Sequence, residues 1–591
     1  MAPKVPPLTP FPLDVLLRRV AHEFASRNRI FDLPTARYWK PDPDVDLTFE
    51  FLGRPAATPI GPAAGPHSQL AQNIVLSWLG GARLFELKTI QVMDDLDIAR
   101  PCIDMETIGF NIEWSQELQV HESLEEYVKA WMMIHILKQW DPLRPHVGRD
   151  PGPLVFDMSV GYDLAGISSP KVEAFITSMM DASVEIERLR PLIPEPFGDL
   201  RDIAFPTRIA DTVTLSTFHG CPPNEIESIT KYLMDHHGLD VIVKLNPTLL
   251  GFGRVCEIVQ QQLGYEHIRL NRQSFTDDLQ FDRGVTLIEE LRSYAAERGR
   301  KFGIKLTNTL VVENHKDFLP DDPMYLSGPP LHVLATALLD ELISALPDTF
   351  MVEGHRGDVQ VSFSAGINKE NLSQAIGMGV RPATVCSDLL KPGGYGRLAP
   401  MLTRLADDMR SAGCHSLATW RRHEWSAARA AGFRGAVHAH MSAILTGDLN
   451  STYHLAGNEK LPRHVDHNLE MWGCVACNFC VTVCPNDAFF RLPTPASMDL
   501  PGRQQYFVLA EACNECGNCM VFCPEVGDPA QIKPKIYVDP ARFAASVGQG
   551  FLVAGSPSGF TITAAEGFEA DVARLAEIFH ADEGWPIPLD K

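Results

Sequence analysis

The chain has 591 residues and a formal net charge of −22, from 52 lysine and arginine against 74 aspartate and glutamate residues. This acidic balance argues against nucleic acids and anionic membrane surfaces as partners. No apolar run approaches the roughly 18 residues that a membrane-spanning helix needs. The length predicts several domains, or one large barrel with additions.

Residues 1–50 predict a helical lead-in, because a proline-rich start is followed by an amphipathic stretch from Leu13 onward. The stretch lacks the apolar core and the small-residue cleavage site of a secretory signal. The lead-in is therefore not expected to direct export.

Residues 51–405 alternate short apolar or β-branched runs with longer helical patterns. Near-continuous apolar strands separated by helices are typical of a parallel sheet covered by helices. Eight such units predict an α/β fold, the (β/α)8 TIM barrel. A Rossmann domain has less support, because no G-x-G-x-x-G follows any run. The eight runs are 58–63, 83–89, 154–160, 212–217, 241–247, 303–309, 359–367 and 383–390.

Polar residues are concentrated at the C-terminal ends of these runs, the face where barrel enzymes place their sites. They are Lys88, Thr89, Ser159, Thr217, Asn246, Asn308, Gly366 and Ser387. Segments 364–367 (SAGI) and 387–396 (SDLLKPGGYG) end runs seven and eight. Barrels often bind phosphate there on backbone amides, so we expect the amides of Gly393 and Gly394 to turn inward. Two ordinary glycine turns are the alternative.

Residues 406–470 predict a mostly helical connector, and its scattered histidines are expected to be structural or solvated. After the next domain, residues 541–591 predict a small terminal segment that pairs an added strand (FTITA) with a helix.

Between these segments, residues 471–540 contain two copies of the spacing C-x2-C-x2-C-x3-C-P. This repeat is typical of bacterial ferredoxins with two [4Fe–4S] clusters, in which the fourth cysteine of each run ligates the other cluster. It predicts an α+β ferredoxin-like domain. A pair of zinc knuckles is the alternative, but zinc sites favour two CxxC pairs separated by a longer loop. One cluster is assigned to Cys474, Cys477, Cys480 and Cys523, and the other to Cys513, Cys516, Cys519 and Cys484.

The clusters have consequences for location and for a second cofactor. They need reduced thiols, which predicts a cytoplasmic protein. They transfer single electrons, whereas most organic substrates take two, and a flavin can do both. A phosphate-binding barrel joined to clusters therefore leads us to expect FMN at the barrel mouth. The other cysteines are expected to be mostly buried apolar residues.

Barrel and clusters together resemble the dihydropyrimidine dehydrogenase and dihydroorotate dehydrogenase superfamily. They are most similar to its flavin- and iron–sulfur-containing members named as selenate reductase subunits. The resemblance spans residues 57 to about 400 and 474 to about 555. The segments that carry it include ATPIGPAAGPHSQLAQNIV, FELKT, FNIEW, TLSTFHGCPPNEIE, VKLNPTLLG, KLTNTL, YLSG, LLKPGGYGRL and CNECGNC.

The resemblance implies roles for individual residues. Lys88 would stabilise negative charge on the reduced flavin, and Asn111, Asn308 and Thr309 would contact the substrate. The implied contacts to FMN are Ala63, Ala64, Gly65, Lys88, Thr89, Lys244, Ser327, Gly328, Gly366, Cys386 and Ser387.

The chain departs from the superfamily after strand four. Members that reduce pyrimidines carry N-x-S-C-P-H-G there, whereas this chain has Thr214 at the asparagine position and Thr217 at the cysteine position. A pyrimidine substrate therefore has less support. A cysteine occurs later, and Cys221 is the first candidate for the proton donor, with His219 and Thr217 as rivals. Packing of Cys221 beneath a proline-stiffened loop is the non-catalytic alternative.

Longer relatives carry an FAD- and NAD(P)-binding module between barrel and clusters, where this chain has only the connector. We therefore expect a hetero-oligomer with an FAD/NAD(P)-binding flavoprotein of the glutamate synthase small-subunit type, or exchange with a ferredoxin. The hypothesis is an FMN- and iron–sulfur-dependent oxidoreductase subunit that acts on a small, purine- or pyrimidine-like heterocycle. An electron-transfer scaffold subunit of a larger reductase, and a dihydropyrimidine dehydrogenase subunit, are the alternatives.

Overall fold

The computed structural model describes the whole chain except residues 1–7, 95–99, 112–115, 218–219, 317–318, 321, 351–358, 428–431, 547–548, 557–558 and 582–591. Within the described residues, every helix is too short or too polar to cross a membrane.

The lead-in is a helix followed by two small hairpins. Helix Leu13–Arg27 starts after Pro12 and ends at Asn28, which adopts a left-handed φ of 50°. Its buried face carries Arg19, which forms ion pairs with Glu23 of the same helix and with Asp487, both at 2.6 Å. The helix thus contacts the domain that carries the cysteine motifs. The hairpins pair Arg29–Ile30 with Leu33–Pro34, and Phe49–Phe51 with Arg54–Ala56.

Eight parallel strands form the predicted barrel. Strands that are consecutive in the chain are neighbours in the sheet, and the last strand pairs with the first. The Arg83 amide closes the circle between the first two strands by donating to the Ile60 carbonyl at 3.1 Å. All eight predicted runs are confirmed as strands. The prediction succeeds because a parallel strand is covered on both faces, so its sequence is apolar almost throughout. The strands are β1 (Ile60–Pro62), β2 (Leu84–Glu86), β3 (Val155–Val160), β4 (Thr212–Ser216), β5 (Asp240–Leu245), β6 (Phe302–Leu306), β7 (Gln360–Phe363) and β8 (Ala383–Val385).

A helix follows each strand and covers the outside of the barrel. In chain order these are Ala71–Leu79, Val120–Gln139, Pro170–Met180, Pro223–His236, Phe281–Glu297, Gly328–Ala345, Leu372–Met378 and Leu398–Ser411. Shorter helices in the connections include Arg144–Val147, Leu164–Ile167, Ser183–Leu189, Phe252–Cys256 and Arg272–Asp277.

A second, four-stranded sheet is built from the segments that follow β2 and β6. We call it the roof sheet. Its strands, in spatial order, are Leu310–Val312, Met324–Leu326, Ile103–Asp104 and Phe110–Asn111. Since both source segments leave the C-terminal ends of their strands, the roof sheet lies at the face of the barrel where enzymes of this fold place their sites.

The connector contains helices Leu417–Ala427 and Gly432–Thr446, followed by two short helices, Asn450–Tyr453 and Leu455–Asn458. The first of them is fixed to the barrel by two tryptophans. The indole of Trp420 donates to the Ser373 carbonyl and that of Trp425 to the Met378 carbonyl, both at 3.0 Å.

The C-terminal domain places two short helices, Phe479–Val483 and Asn518–Phe522, beside a five-stranded sheet. The strands are β9 (Phe489–Pro493), β10 (Gln504–Leu509), β11 (Lys535–Tyr537), β12 (Phe551–Ser556) and β13 (Gly559–Ala564), in that spatial order. The FTITA segment lies in β13, and helix Val572–His580 follows it. Strands β12 and β13, which follow residue 540, therefore share one sheet with strands β9 to β11 of the domain that carries the cysteine motifs.

The two domains are joined by buried polar contacts. The Asn518 amide donates to the Leu390 carbonyl of the barrel at 3.0 Å and to the Val483 carbonyl at 2.9 Å. On another side, the Asn73 amide donates to the Asn486 side chain at 3.1 Å. The cysteine motifs are thus held against the C-terminal face of the barrel.

Candidate functional site

A cavity opens at the C-terminal ends of the barrel strands, beneath the roof sheet. It brings together eleven of the fourteen residues that were expected to contact FMN or substrate: Ala63, Ala64, Thr89, Asn111, Lys244, Asn308, Thr309, Ser327, Gly366, Cys386 and Ser387. Three residues of the expected phosphate segment SAGI also line it: Ser364, Ala365 and Ile367. Residues that the sequence reasoning did not single out complete the lining: Ile103, Ser216, Thr307, Leu331 and Thr384.

The other three expected flavin contacts, Gly65, Lys88 and Gly328, adjoin the cavity without lining it. A Cβ added to Gly65 would lie 3.0 Å from the Cys386 sulfur. Lys88 is 1% exposed, and its carbonyl accepts a hydrogen bond from the Tyr127 hydroxyl at 2.9 Å.

A buried ion pair lies at the base of the cavity. The Lys305 ammonium is 2.6 Å from a Glu86 carboxylate oxygen, and both side chains are 1% exposed. Lys305 also donates to the Thr384 hydroxyl at 2.8 Å, while the Ala64 amide donates to Glu86 at 3.1 Å. Burial raises the pKa of Glu86, but Lys305 and Lys244 outweigh it and hold that pKa below its ordinary value. The sequence reasoning missed this pair, although a charged residue inside each of two apolar runs was the available signal.

Lys244 on β5 places a further ammonium at the cavity wall. Burial lowers the pKa of Lys244, Glu86 opposes that change, and Lys305 adds to it. A lysine that is desolvated beside another cation is stabilised by an anion that enters the cavity. Lys244 is thus suited to hold a negatively charged group.

Hydrogen bonds order one wall of the cavity. The Asn111 amide donates to the Cys386 sulfur at 3.3 Å, and the hydroxyls of Ser327 and Ser387 are 3.2 Å apart. These bonds join the roof sheet and its flanking residues to the segment after β8. The wall therefore depends on both parts being in place.

At Gly366, three residues after β7, two backbone segments beside the cavity approach each other closely. The φ of Gly366 is +55°, and an added Cβ would lie 2.6 Å from the Gly328 carbonyl oxygen. Only glycine fits such a position without strain. Glycine is needed at 366 because the Gly328 backbone approaches closely there, and residues 364–367 line the cavity beside this contact.

The other expected phosphate residues lie elsewhere. A Cβ on Gly394 would be 2.1 Å from the Thr482 carbonyl oxygen of the cysteine domain, and neither Gly393 nor Gly394 lines the cavity. The Gly394 amide donates instead to the Lys391 carbonyl at 2.9 Å, so the prediction that it turns toward a phosphate is wrong. For the Gly393 amide it stays a prediction. Glycine is needed at 394 because the two domains approach closely there.

Asn308 and Thr217 are linked behind the cavity. The Asn308 amide donates to the Thr217 carbonyl at 3.0 Å and to the Asn246 side chain at 2.7 Å, while the Thr217 hydroxyl donates to the Lys244 carbonyl at 2.9 Å. The Asn308 side-chain oxygen is then the group that can accept from a ligand. Thr307 lines the cavity with a buried hydroxyl that has no hydrogen-bond partner among the described residues.

Two of the three candidate proton donors, Thr217 and Cys221, do not line the cavity. Thr217 lies behind Lys244, and His219 lies outside the described residues. Cys221 is 4% exposed, with its sulfur 4.0 Å from the Pro222 carbonyl. Burial, together with nearby carboxylates, raises the pKa of Cys221 to about 12. Ser216, which the sequence reasoning passed over, is the residue of this segment that reaches the cavity.

The eight motif cysteines form two groups, matching the crossed assignment. The thiols close enough to the Cys480 thiol to raise its pKa are those of Cys477, Cys474 and Cys523. Those of the Cys519 thiol include Cys516, Cys513 and Cys484. The fourth cysteine of each run therefore lies with the other run. We call these sets the first quartet (Cys474, Cys477, Cys480 and Cys523) and the second quartet (Cys484, Cys513, Cys516 and Cys519).

Both runs use the same backbone conformation. Ala476 and Glu515 both have φ of 53°, and Asn478 and Gly517 precede their helices with φ of 64° and 77°. These turns wrap the first three thiols of each run around one point. Burial raises the pKa of Cys480, Cys516 and Cys519 well above the ordinary thiol value. Four thiols gathered at each point are a donor set that fits a [4Fe–4S] cluster.

Tyr395 contacts the cysteine domain next to the second quartet, because its hydroxyl donates to the carbonyl of Pro485, the residue after Cys484. Burial raises its pKa well above the ordinary value, and the thiols of Cys484 and Cys386 raise it further. The same ring is therefore close to a cysteine of the second quartet and to a cysteine that lines the cavity.

Two family models match the chain. Residues 31–430 match the family described as oxidoreductase YgfK, N-terminal TIM-barrel domain, and residues 473–526 match the 4Fe-4S dicluster domain. These matches confirm the predicted combination of a barrel with a two-cluster domain.

YgfK proteins of Escherichia coli strains K12 and O157:H7 are each 39% identical to this chain over 418 residues, which is 67% of this chain and 39% of theirs. The chain thus spans about two fifths of the length of these relatives.

Solved structures with a similar fold include dihydroorotate dehydrogenase from Eimeria tenella. The ligand-free form is 15% identical, with a TM-score of 0.38 over 68% of this chain and 96% of that chain. The complex with ferulenol is 14% identical, with a TM-score of 0.40 over 69% and 94%. Scores of this size carry no weight for the function of this chain.

Proposed function

Because this chain belongs to the YgfK N-terminal TIM-barrel family, we propose that it is an oxidoreductase subunit with FMN and two [4Fe–4S] clusters. It would exchange electrons with an FAD/NAD(P)-binding flavoprotein or a ferredoxin, and reduce or oxidise a small, purine- or pyrimidine-like heterocycle. The observation that carries the proposal is that one chain combines a cavity at the C-terminal ends of the barrel strands, lined by Lys244, Asn308 and Cys386, with a 4Fe-4S dicluster domain.

The residues of the cavity fit FMN. Lys244 supplies a desolvated ammonium for a negatively charged group, and residues 364–367 line the cavity after β7, where barrels often bind phosphate. The Thr307 hydroxyl, which lacks a partner among the described residues, needs one from a ligand. These three features lie in one cavity.

FMN, when bound, would supply hydride exchange with the substrate and single-electron exchange with the clusters. The protein would supply position and charge. Lys244 would hold negative charge, while the Asn308 side-chain oxygen and the Asn111 amide would orient a heterocycle through its ring N–H and carbonyl groups. The Lys305–Glu86 pair would fix the floor beneath them.

The group that donates a proton to the substrate is assigned to the segment after β4. A thiol with a pKa of about 12 stays protonated at neutral pH, so Cys221 would act as a neutral donor. Its burial requires the segment to move before the sulfur reaches the cavity. Thr217 and His219 are retained as the rival donors.

Cofactor content tests the proposal. Protein purified without oxygen should contain roughly one FMN and eight iron atoms per chain. Lys244→Met should weaken FMN binding at least ~10-fold, because the cation that faces the ligand is lost. Lys301→Met, which removes an exposed lysine, should leave it unchanged.

Less than roughly a tenth of an FMN per chain, beside full iron, would contradict the flavin proposal. A separate assay tests the partner. The chain alone should oxidise NADH slowly, and adding the flavoprotein partner should accelerate the reaction. Rapid oxidation by the chain alone would remove the need for that partner.

A further inference from the structure

Three potential metal ligands converge at the outer edge of the roof sheet, away from the cavity. The Glu106 carboxylate is 3.0 Å from His267 Nε2 through one oxygen and 3.2 Å from His315 Nε2 through the other. All three ligand atoms lie within 4.8 Å of one another. None of the three residues lines the cavity described above.

These separations are those of ligands around a bound ion. Zn²⁺ binds histidine nitrogen and carboxylate oxygen at about 2.0–2.2 Å, so neighbouring ligand atoms lie roughly 3.0–3.5 Å apart. The two nitrogen–oxygen distances fall in that range. The three side chains thus already present their ligand atoms to one another, with all three atoms within 4.8 Å.

The second ring nitrogen of His315 supports the same conclusion. His315 Nδ1 lies 3.0 Å from the Glu313 carbonyl oxygen, and a carbonyl can only accept. Nδ1 thus carries a proton, and Nε2 is the ring nitrogen that faces a Glu106 carboxylate oxygen, at 3.2 Å. Metal-binding histidines commonly donate their other N–H to a backbone carbonyl in this way.

The charge around the site is negative. Glu106 is 4% exposed and Asp104 is 1% exposed. The Lys316 ammonium lies 2.9 Å from Glu106 and 2.7 Å from Asp104. One ammonium balances one of these two carboxylates. The Lys316 side chain is 32% exposed, so it can withdraw toward solvent when an ion binds.

We propose that Glu106, His267 and His315 bind a divalent transition-metal ion of the Zn²⁺ class. Two imidazoles and a carboxylate suit such an ion. Glu106 lies between two strands of the roof sheet, His315 follows a third, and His267 precedes Leu270, which bridges to Val312. The ion would therefore fasten the roof sheet, which carries Asn111, to the barrel segment after β5.

Zinc binding by the cluster-loaded protein tests the site. Equilibrium dialysis against Zn²⁺ alone, without oxygen, should give roughly one zinc per chain, with iron unchanged at about eight atoms. His315→Gln and His267→Gln should each lose this zinc. His236→Gln is the matched control, since it belongs to another trio with Glu173 and His237 whose carboxylate side chain is 34% exposed. The control should keep the zinc.

Lys316→Met separates a metal site from a lysine salt bridge without removing a ligand. If an ion competes with the ammonium, this variant should bind Zn²⁺ at least ~10-fold more tightly, because a neighbouring like charge is gone. Equal zinc content in the wild type, His315→Gln and His267→Gln would overturn the proposal. So would loss of the zinc in His236→Gln, or unchanged affinity in Lys316→Met.

Discussion

The Tyr395 hydroxyl donates a hydrogen bond of 2.6 Å to the Pro485 carbonyl, directly after the last cysteine of the first motif. Tyr395 belongs to the segment that follows β8, so this bond joins the barrel to the second quartet. Its ring also meets His67 edge-on, with the ring centres 5.2 Å apart. The position of Cys484 relative to the cavity is therefore fixed by a buried residue of the barrel.

Tyr395→Phe should loosen the second quartet. The change removes the hydroxyl but keeps the ring, and it leaves the buried Pro485 carbonyl without this donor. We expect the free energy of unfolding to fall by about 1–3 kcal/mol. Iron should also be lost faster to a chelator, as followed by the decay of cluster absorbance without oxygen.

Tyr38→Phe is the matched control, because its buried hydroxyl donates to the Leu33 carbonyl at 3.2 Å within the lead-in. This variant should lose stability without faster loss of iron. Equal rates of iron loss in the two variants would show that the Tyr395 bond does not hold the quartet.

Lys305→Met should be strongly destabilising, because it leaves the Glu86 carboxylate buried without its nearest cation. Breaking a buried pair from one side costs about 3–5 kcal/mol in unfolding free energy. The double variant Lys305→Met/Glu86→Leu should recover most of that loss. Lys231→Met, which breaks a surface pair with Glu227, should cost about 0–1 kcal/mol. A double variant no more stable than Lys305→Met alone would contradict this account.

The sequence was sufficient for the barrel strands and for most of the cavity, for a physical reason. Parallel strands are apolar on both faces, so the polar residues at their ends, such as Lys244 and Asn308, mark one edge of the sheet. The partners of those residues were beyond prediction. Pairing of Glu86 with Lys305 depends on which strands face each other across the barrel interior. Likewise Glu106, His267 and His315 come from three separate segments.

The glycines after β8 show a different limit. Gly393 and Gly394 have the composition of a phosphate-binding turn, yet Gly394 is needed for contact with Thr482. A glycine permits close approach of any backbone or ligand, and its identity alone does not say which. The approaching partner here belongs to another domain, so only the assembled structure identifies it.

Asp157→Asn should change how stability depends on pH. Asp157 on β3 accepts from the hydroxyls of Thr212 at 2.7 Å and Thr214 at 2.6 Å. Burial raises its pKa to about 7, the two hydroxyls lower it, and Glu86 raises it. The folded state therefore binds a proton more tightly than the unfolded chain, whose carboxyl has a pKa of about 4. The contribution of the Asp157 carboxyl to folding stability is most favourable below the unfolded-state pKa of about 4 and is lost as the pH rises toward 7.

The asparagine cannot ionise, so the variant should gain stability relative to the wild type between pH 5 and pH 8. Three pKa units correspond to an upper limit of about 4 kcal/mol. Chemical unfolding at both pH values gives the difference. Parallel pH profiles for the two proteins would mean that Asp157 does not titrate in this range.

Paired cysteine variants test the crossed ligand assignment. Cys477→Ser removes a ligand of the first quartet, so iron should fall from roughly eight to four atoms per chain. Stability should fall with it, since metal binding is coupled to folding. Cys414→Ser is the control, because this buried cysteine lies outside both quartets, with its sulfur 3.7 Å from the Ala412 carbonyl. It should keep all the iron.

The double variants then distinguish crossed from uncrossed ligation. Cys477 and Cys523 belong to the same quartet although they come from different motifs, so Cys477→Ser/Cys523→Ser should keep the other cluster intact. Cys477→Ser/Cys484→Ser alters two cysteines of one motif but one ligand in each quartet, so it should lose both clusters. Iron analysis together with EPR of the reduced proteins reads out both results. The reverse outcome would mean that each motif holds its own cluster, contrary to the neighbours seen around Cys480 and Cys519.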